Sequence, residues 1–236
     1  MTEGRVAAGP RRRRRPTKQG VVLSEELIVE TALRLMREHG AGALTARRLG
    51  AALGADPSAL YRYFRGTDDL ALAVADELIG RSFAGWRPAG DWRADLRDLG
   101  RRMYEGYLAH PQAAALATYR VTGRRHEARA IEAILGVLLG AGFPGREAVR
   151  FYHLFVDQAL SHAAMDAASA ALPREAREAE RRVWEETYSG LPAATHPNMA
   201  AMAGLLRAEM RNSCYPHALE VFLDAAAACL AGVRRG

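Results

Sequence analysis

The sequence predicts an all-α protein, and three observations support that fold class. Apolar residues recur at helical spacing in almost every segment from Ser24 onward, and alternating strand patterns are lacking. Capping residues stand before these segments, and glycines stand at several of their ends. With 49% hydrophobic and 25% charged residues, the chain has enough apolar surface to order its body, which excludes a disordered protein.

Capping signals predict four helices in the N-terminal part of the chain. Ser24, followed by Glu25 and Glu26, predicts a first helix that Gly40 ends. Asp56 with Pro57 predicts the start of the third, because proline suits the first turn. The other predicted helices are a short one from the Thr45 cap through Leu53, the third from Pro57 to Phe64, and a fourth from the Thr67 cap to about Ser82.

The remaining helices follow a predicted linker at 85–90, which contains Pro88. We therefore predict three regions: an arginine-rich disordered arm at 1–20, a small domain at 21–84 and a larger helical domain at 91–236. The predicted helices of the larger domain run from the Asp91 cap to about Ala109, then over Gln112–Thr122, His126–Gly140, Gly145–Leu172, Arg174–Tyr188, Asn198–Met210 and Pro216–Val233.

Charge and cysteine content narrow the classes of function. Residues 1–20 carry seven basic side chains and one acidic one, whereas the rest of the chain is neutral overall. Two separate cysteines, Cys214 and Cys229, indicate a reducing, cytoplasmic compartment. The longest apolar run, 133–143, is too short for a membrane span. No catalytic, metal or cofactor motif is present, so we expect neither enzymatic activity nor a metal or cofactor.

The most informative stretch is 44–70, LTARRLGAALGADPSALYRYFRGTDDL. It predicts two short helices joined by a tight turn with glycine, which is the helix-turn-helix arrangement. Its apolar positions would lock the pair together, and its other face offers arginines, small residues and hydroxyls that suit a DNA surface. Residues 41–66 carry four arginines and one aspartate. Composition alone leaves a solvated helical hairpin as the alternative.

The motifs TARRLG at 45–50, SALYRYF at 58–64 and Asp69-Leu70 resemble the DNA-binding signature of tetracycline-repressor (TetR) family regulators. The resemblance spans 28–74. It implies that Arg47, Ser58 and Ala59 contact base edges. The residues that it implies hold phosphates are Thr45, Tyr61, Tyr63 and Thr67. The complete predicted DNA-binding set is Thr45, Arg47, Arg48, Ser58, Ala59, Tyr61, Arg62, Tyr63 and Thr67.

A weaker resemblance links the larger domain to the ligand-binding domain of tetracycline-repressor-type members, through Trp92-Arg93, the corner at 108–111 and Ala141-Gly142-Phe143. It implies a homodimer whose last long helices pair as a four-helix bundle. A monomeric core is the alternative. The side chains predicted for the interface are Ala163, Ala164, Ala167, Leu219, Phe222, Leu223, Ala226 and Leu230.

A small-molecule effector is expected in the larger domain, in an apolar pocket with a few polar anchors. Phe83 and Thr118 fall where the tetracycline repressor has metal-binding histidines, so chelated tetracycline is not the expected ligand. Each pocket residue could equally be plain core. The predicted pocket residues are Met103, Tyr107, Tyr119, Ile134, Leu138, Tyr152, Phe155, Gln158 and His162.

Together these features predict a homodimeric transcriptional regulator, most simply a repressor that a small molecule releases from a palindromic operator. Two other classes remain open at this point. An architectural or nucleic-acid-coating protein would use the arginine-rich arm and need no ligand. An enzyme would use the C-terminal pocket, although no group of residues in the sequence suggests a catalytic mechanism.

Overall fold

The computed structural model describes residues 22–113, 120–210 and 212–233, and these residues form helices and connecting loops without a β-strand. One 3₁₀ segment, Pro57–Arg62, is here named the recognition helix. The α-helices are α1 (Glu25–His39), α2 (Ala46–Leu53), α3 (Thr67–Ser82), α4 (Trp92–Leu108), α5 (Arg125–Ala141), α6 (Gly145–Ala171), α7 (Arg174–Val183), α8 (Pro197–Glu209) and α9 (Tyr215–Val233). This confirms the all-α prediction.

The chain divides into two compact units between Leu70 and Ala71. The division falls inside α3, whereas the sequence suggested a linker at 85–90. That segment contains Gly85 and Gly90, both with positive φ, and it connects α3 to α4. The predicted arginine-rich arm lies outside the described residues.

Most of the predicted helix starts are confirmed by hydrogen bonds. Ser24 Oγ accepts from the Leu27 N–H at 3.1 Å, Thr45 Oγ1 from Arg48 at 3.3 Å, and Asp56 Oδ1 from Ser58 at 2.8 Å. Asp91 caps α4 in the same way. Each side-chain oxygen satisfies an N–H group that has no partner within its helix.

Two predicted features of this region are wrong. The segment after Asp56 is a 3₁₀ helix that ends at Arg62, not an α-helix to Phe64. Thr67 is the first residue of α3 rather than its cap, because the Gly66 carbonyl already accepts the Leu70 N–H. Asp69 instead reaches back to accept the Arg65 N–H at 2.9 Å.

The second unit is built around α4, α5, α6 and α9, which share one apolar core. Phe155 and Phe222 meet at 5.6 Å between ring centroids, which joins α6 to α9. On the outside, Arg97 of α4 holds both carboxylate oxygens of Glu220 on α9. This pair lowers the pKa of the Glu220 carboxyl.

The segment between α6 and α9 leaves its helices exposed. Neither α7 nor α8 has a buried residue, and the predicted helix at 174–188 is an α-helix to Val183 followed by a π-helical turn, Trp184–Tyr188. The helix predicted over 112–122 lies mostly outside the described residues, and 120–122 are not helical.

Helix α9 is long and apolar enough, by length and composition, to cross a membrane. The expectation that no segment spans a membrane rests on uninterrupted apolar runs, whereas this criterion allows Glu220 and Asp224 within α9 and is also met by core helices. One face of α9 packs into the core of the second unit, through residues such as Leu223 and Ala226. This packing accounts for the inner part of its apolar surface, and among the described residues Val221, Ala225 and Ala228 of the opposite face are exposed.

Candidate nucleic-acid interface and effector cavity

The turn before the recognition helix is closed by close backbone contact. Gly54 ends α2 in the left-handed conformation, at φ 61°. At Gly50 a Cβ atom would lie 2.8 Å from the Ala55 carbonyl oxygen and 3.1 Å from Pro57. Glycine is therefore needed at position 50, because any side chain would push the turn away from α2.

The inner face of the recognition helix fixes its orientation. Leu60 and Phe64 are 4% and 3% exposed, and they lie in the first unit with the buried Leu49 and Leu53 of α2. Burial of each such side chain contributes about 1.5 to 3 kcal/mol, so the helix cannot rotate without losing this packing. The opposite face is therefore held toward solvent.

The outer face carries the residue types that the sequence nominated. Ser58, Tyr61 and Arg62 are exposed on the recognition helix, and Tyr61 is 59% exposed. Arg47 and Arg48 are exposed on α2. Guanidinium groups can read guanine edges or hold phosphates, and hydroxyls can donate to phosphate oxygens. The first unit therefore presents a basic, hydrogen-bonding surface around the recognition helix.

The remaining predicted contacts differ in accessibility. Thr45 and Thr67 are exposed, and Ala59 is half-buried. The Thr45 oxygen caps α2, which leaves its hydroxyl proton able to donate.

Tyr63 is placed differently from the prediction. It is half-buried, and its hydroxyl donates to the Leu23 carbonyl oxygen at 2.7 Å. That bond ties the end of the recognition helix to the residue before the α1 cap. Because its proton is already used, Tyr63 has a structural role rather than the predicted role of donating to a phosphate.

The second unit contains a cavity of about 70 Å³ between α3, α4, α5 and α6. Four of the predicted pocket residues line it: Met103, Tyr107, Ile134 and Tyr152. Its walls are mostly apolar, and Glu127, Thr122 and Arg120 provide polar groups. Such a combination is typical of small-molecule sites.

The other predicted pocket residues do not line this cavity. Leu138 and Phe155 are fully buried in the core, and Gln158 and His162 lie elsewhere on α6. Tyr119 lies outside the described residues. The predicted pocket is therefore wrong for part of α5 and α6. The periodicity of apolar residues shows that a helix face is buried, but it does not show whether that face packs in the core or lines a cavity.

The sequence prediction did not include one wall of the cavity. Ala75, Ile79, Ser82 and Phe83 line it from α3 and the residue after it. The helical spacing of these residues is visible in the sequence. The predicted domain boundary, however, assigned all of α3 to the DNA-binding domain at 21–84 and not to the effector domain. Among the described residues, no three His, Cys, Asp or Glu side chains converge to hold a metal ion.

Ionisation of the cavity tyrosines is shifted by their surroundings. Burial, with a smaller contribution from the Glu127 carboxylate, raises the pKa of Tyr107 to about 12. Burial likewise raises the pKa of Tyr152. Both phenols therefore stay neutral at physiological pH and can act as hydrogen-bond donors.

Seven of the eight residues predicted for a subunit interface are core residues, and the prediction is wrong for these seven. Ala163, Ala167, Leu219, Phe222, Leu223, Ala226 and Leu230 are all buried within the subunit, and only Ala164 is half-buried. Their apolar stripe faces the interior because it completes the core of the second unit.

The helix-turn-helix with its exposed basic face defines the class of a DNA-binding regulator. The chain belongs to the TetR family: residues 28–74 match the model for bacterial regulatory proteins of the tetR family, and residues 85–227 match the tetracyclin repressor-like C-terminal domain. Regulators of this family are DNA-binding transcription factors and not enzymes.

Individual relatives agree with this assignment. The tetracycline repressor protein class C of Escherichia coli is 29% identical, over 74% of this chain and 77% of that protein. The chain spans just over half the length, 56%, of other curated regulators that it matches.

Solved structures from Streptomyces coelicolor share the fold. Apo ActR superposes with a TM-score of 0.79 at 22% identity, covering 89% of this chain and 98% of that one. A candidate TetR family regulator from strain A3(2) reaches 0.72 at 28% identity, covering 87% of this chain and all of the other.

Proposed function

We propose that this protein is a cytoplasmic, homodimeric repressor that binds a palindromic operator and is released from it by a small molecule. One observation carries the proposal. The recognition helix buries Leu60 and Phe64 and turns Ser58, Tyr61 and Arg62 to solvent beside the arginines of α2. Within the described part of the first unit, no other residues bury these exposed side chains.

The proposed docking places the recognition helix in the major groove. Its first residues, Ser58 and Ala59, are small and allow close approach to base edges. The arginines of α2 would lie close to the phosphates of the DNA backbone or to the edges of guanine bases. Two subunits would read half-sites about one helical turn, roughly 34–36 Å, apart.

The uncovered faces of α6 and α9 support a dimer. Val221 is 53% exposed on α9, and Ala225 and Ala228 are exposed on the same side. On α6, Leu154 is 57% and Met165 69% exposed. Apolar helix faces of this kind are favourable in water only when another surface covers them, and we propose that a second copy does so.

The cavity is the proposed effector site. Its apolar walls and neutral tyrosines suit a largely apolar ligand with hydrogen-bonding groups near Glu127. Phe83 lines the cavity, and its ring offers no metal ligand, which supports an effector other than chelated tetracycline. As it stands, the cavity is smaller than a typical ligand, so binding would have to widen it.

Release requires the effector to bind the DNA-free form more tightly. A hundredfold induction needs only about 2.7 kcal/mol of coupling between the two sites. Operator DNA must then weaken effector binding by the same factor.

Fluorescence anisotropy with the intergenic DNA beside the gene tests the DNA-binding part. A repressor is expected to prefer its palindrome over random duplex by at least about a thousandfold at physiological salt. Equal affinity for both duplexes would favour a nucleic-acid-coating protein and overturn the proposal. Measurements across a salt series separate the non-specific ionic contribution.

A further inference from the structure

One buried carboxylate joins α3 to the first turn of α5. Asp76 of α3 is 5% exposed. Its Oδ1 accepts from the backbone N–H of His126 at 3.1 Å and of Glu127 at 2.9 Å. The same oxygen accepts from the Thr122 hydroxyl, whose one proton is shared with Glu127, at 3.3 Å, and Oδ2 accepts from the His126 N–H at 3.3 Å.

These bonds replace the cap that α5 lacks in its own sequence. Arg124 occupies the N-cap position and makes no side-chain cap hydrogen bond. The free N–H groups of the first turn need an acceptor, and a carboxylate there also complements the positive end of the helix dipole. Asp76 is therefore an N-cap supplied by a different helix.

A second contact holds the same end of α5 to α3. Gly80 lies one turn after Asp76, on the same face of α3. A Cβ at Gly80 would lie 2.7 Å from Nδ1 of His126, so the imidazole packs directly on the backbone of α3. The start of α5 is thus fixed both by hydrogen bonds and by shape.

The fixed end of α5 is also a wall of the cavity. Thr122 and Glu127 line it, together with Ala75 and Ile79 of α3. The Glu127 carboxylate accepts from the Thr122 hydroxyl at 3.0 Å and from the Gly123 N–H at 2.8 Å. A ligand that displaces this wall therefore acts on the groups that Asp76 holds.

We propose that Asp76 is the positioning residue through which effector occupancy of the cavity reaches α3, an inference that rests on the proposed function. Because Asp76 accepts from backbone N–H groups of α5, any movement of the first turn of α5 changes the position of its hydrogen-bond partners relative to α3. Helix α3 begins at Thr67, soon after the recognition helix in sequence. A shift of the start of α5 would therefore be passed along α3. By reciprocity, operator binding must alter the stability of the start of α5.

Hydrogen–deuterium exchange of the full-length protein tests this, with and without an operator duplex selected from random-sequence DNA. In the parent, operator binding is expected to change exchange of the peptide 120–130 by about tenfold, the scale of a helix cap. Asp76→Ala should abolish this response and still bind the duplex. Asp76→Asn should keep it, because the amide retains the oxygen that accepts three of the four bonds.

Glu77→Ala is the matched control, since the Glu77 carboxylate pairs with Arg81 on its own helix. It should respond as the parent does. No response in the parent, or equal responses in the parent and Asp76→Ala, would overturn the positioning role and leave the proposed function standing. Failure to select any duplex would overturn both.

If Asp76→Ala does not fold, Gly80→Ala provides a second test. It keeps the carboxylate and pushes His126 away from α3. A reduced response supports the inference, and an unchanged response overturns it. Gly136→Ala on α5 is its control, because nothing lies within 4 Å of a Cβ there.

Discussion

Tyr61 and Tyr63 are two residues apart at the recognition helix and have opposite surroundings. Tyr61 is 59% exposed, whereas the Tyr63 hydroxyl donates to the Leu23 carbonyl. The tight 3₁₀ turn separates them, because side chains three apart share a face and those two apart do not. Of the two, Tyr61 is the one whose position suits contact with DNA.

Arg47→Ala and Tyr61→Ala are each expected to weaken operator binding. The arginine variant should lose about ten- to a hundredfold, the scale of a base contact, and the tyrosine variant about fivefold, the scale of one hydrogen bond. Fluorescence anisotropy measures both. Arg177→Ala, an exposed arginine of α7, is the control and should bind like the parent. If both variants also bind like the parent, 44–70 is not the reading surface.

Tyr107 predicts a specific loss of stability at high pH. Its pKa is about 12 in the folded protein and about 10 when unfolded, so above pH 10 ionisation favours the unfolded state. The free energy of unfolding should therefore fall by about 1 kcal/mol at pH 11 through this residue. Urea denaturation of the parent and Tyr107→Phe, at pH 7 and pH 11, measures the difference.

Seven other tyrosines and two cysteines also titrate between these pH values, so the comparison of the parent with Tyr107→Phe, and not the loss in the parent alone, isolates the contribution of Tyr107. Tyr107→Phe should lose less stability than the parent between the two pH values. Equal losses would show that Tyr107 ionises as readily in the folded protein as in the unfolded one.

At the scale of elements, the helix-turn-helix depends on how closely α2 approaches the recognition helix. Gly50→Ala would place a methyl group 2.8 Å from a backbone oxygen that cannot easily move. We expect a decrease in stability of about 1 to 3 kcal/mol, the usual cost of overpacking, and weaker operator binding. Thermal unfolding followed by circular dichroism measures the first effect.

Gly42→Ala in the same unit is the matched control, because no atom lies within 4 Å of a Cβ at that position. It should unfold at the temperature of the parent. A Gly50→Ala variant as stable as the parent would mean that the turn tolerates a wider separation than the structure has.

At the scale of the whole molecule, α9 has two apolar faces with different partners. The inner face completes the core, and the outer face is the proposed dimer surface. Val221→Glu should weaken the dimer by at least about tenfold, because a buried, unpaired carboxylate is costly. Sedimentation velocity measures the subunit mass across a concentration series.

Val183→Glu on α7 provides a control with similar exposure, 48% against 53%. It should remain as dimeric as the parent. A dimeric Val221→Glu variant, or a parent that is monomeric, would contradict the proposed interface.

The arginine-rich arm at 1–20 carries the whole net charge of the chain. If it holds phosphates, its deletion should reduce the log–log salt slope of DNA binding by about 0.9 for each phosphate that the arm neutralises. Anisotropy across a salt series measures the slope. Replacing Arg11–Arg15 with glutamine should have the same direction of effect, and an unchanged slope would mean that the arm is a solubility tail.

The sequence by itself determined where most of the helices lie, most of their caps and the residues of the basic face, since those depend on local spacing and on residues such as Ser24, Asp56 and Gly54. It also carried the motif that identifies the family. Only the tertiary structure decided which apolar stripes are core, cavity or free surface, because a helix alone shows its periodicity but not its neighbours. For the same reason the buried Asp76 and the bound hydroxyl of Tyr63 could not be read from the sequence: their partners lie 40 or more residues away.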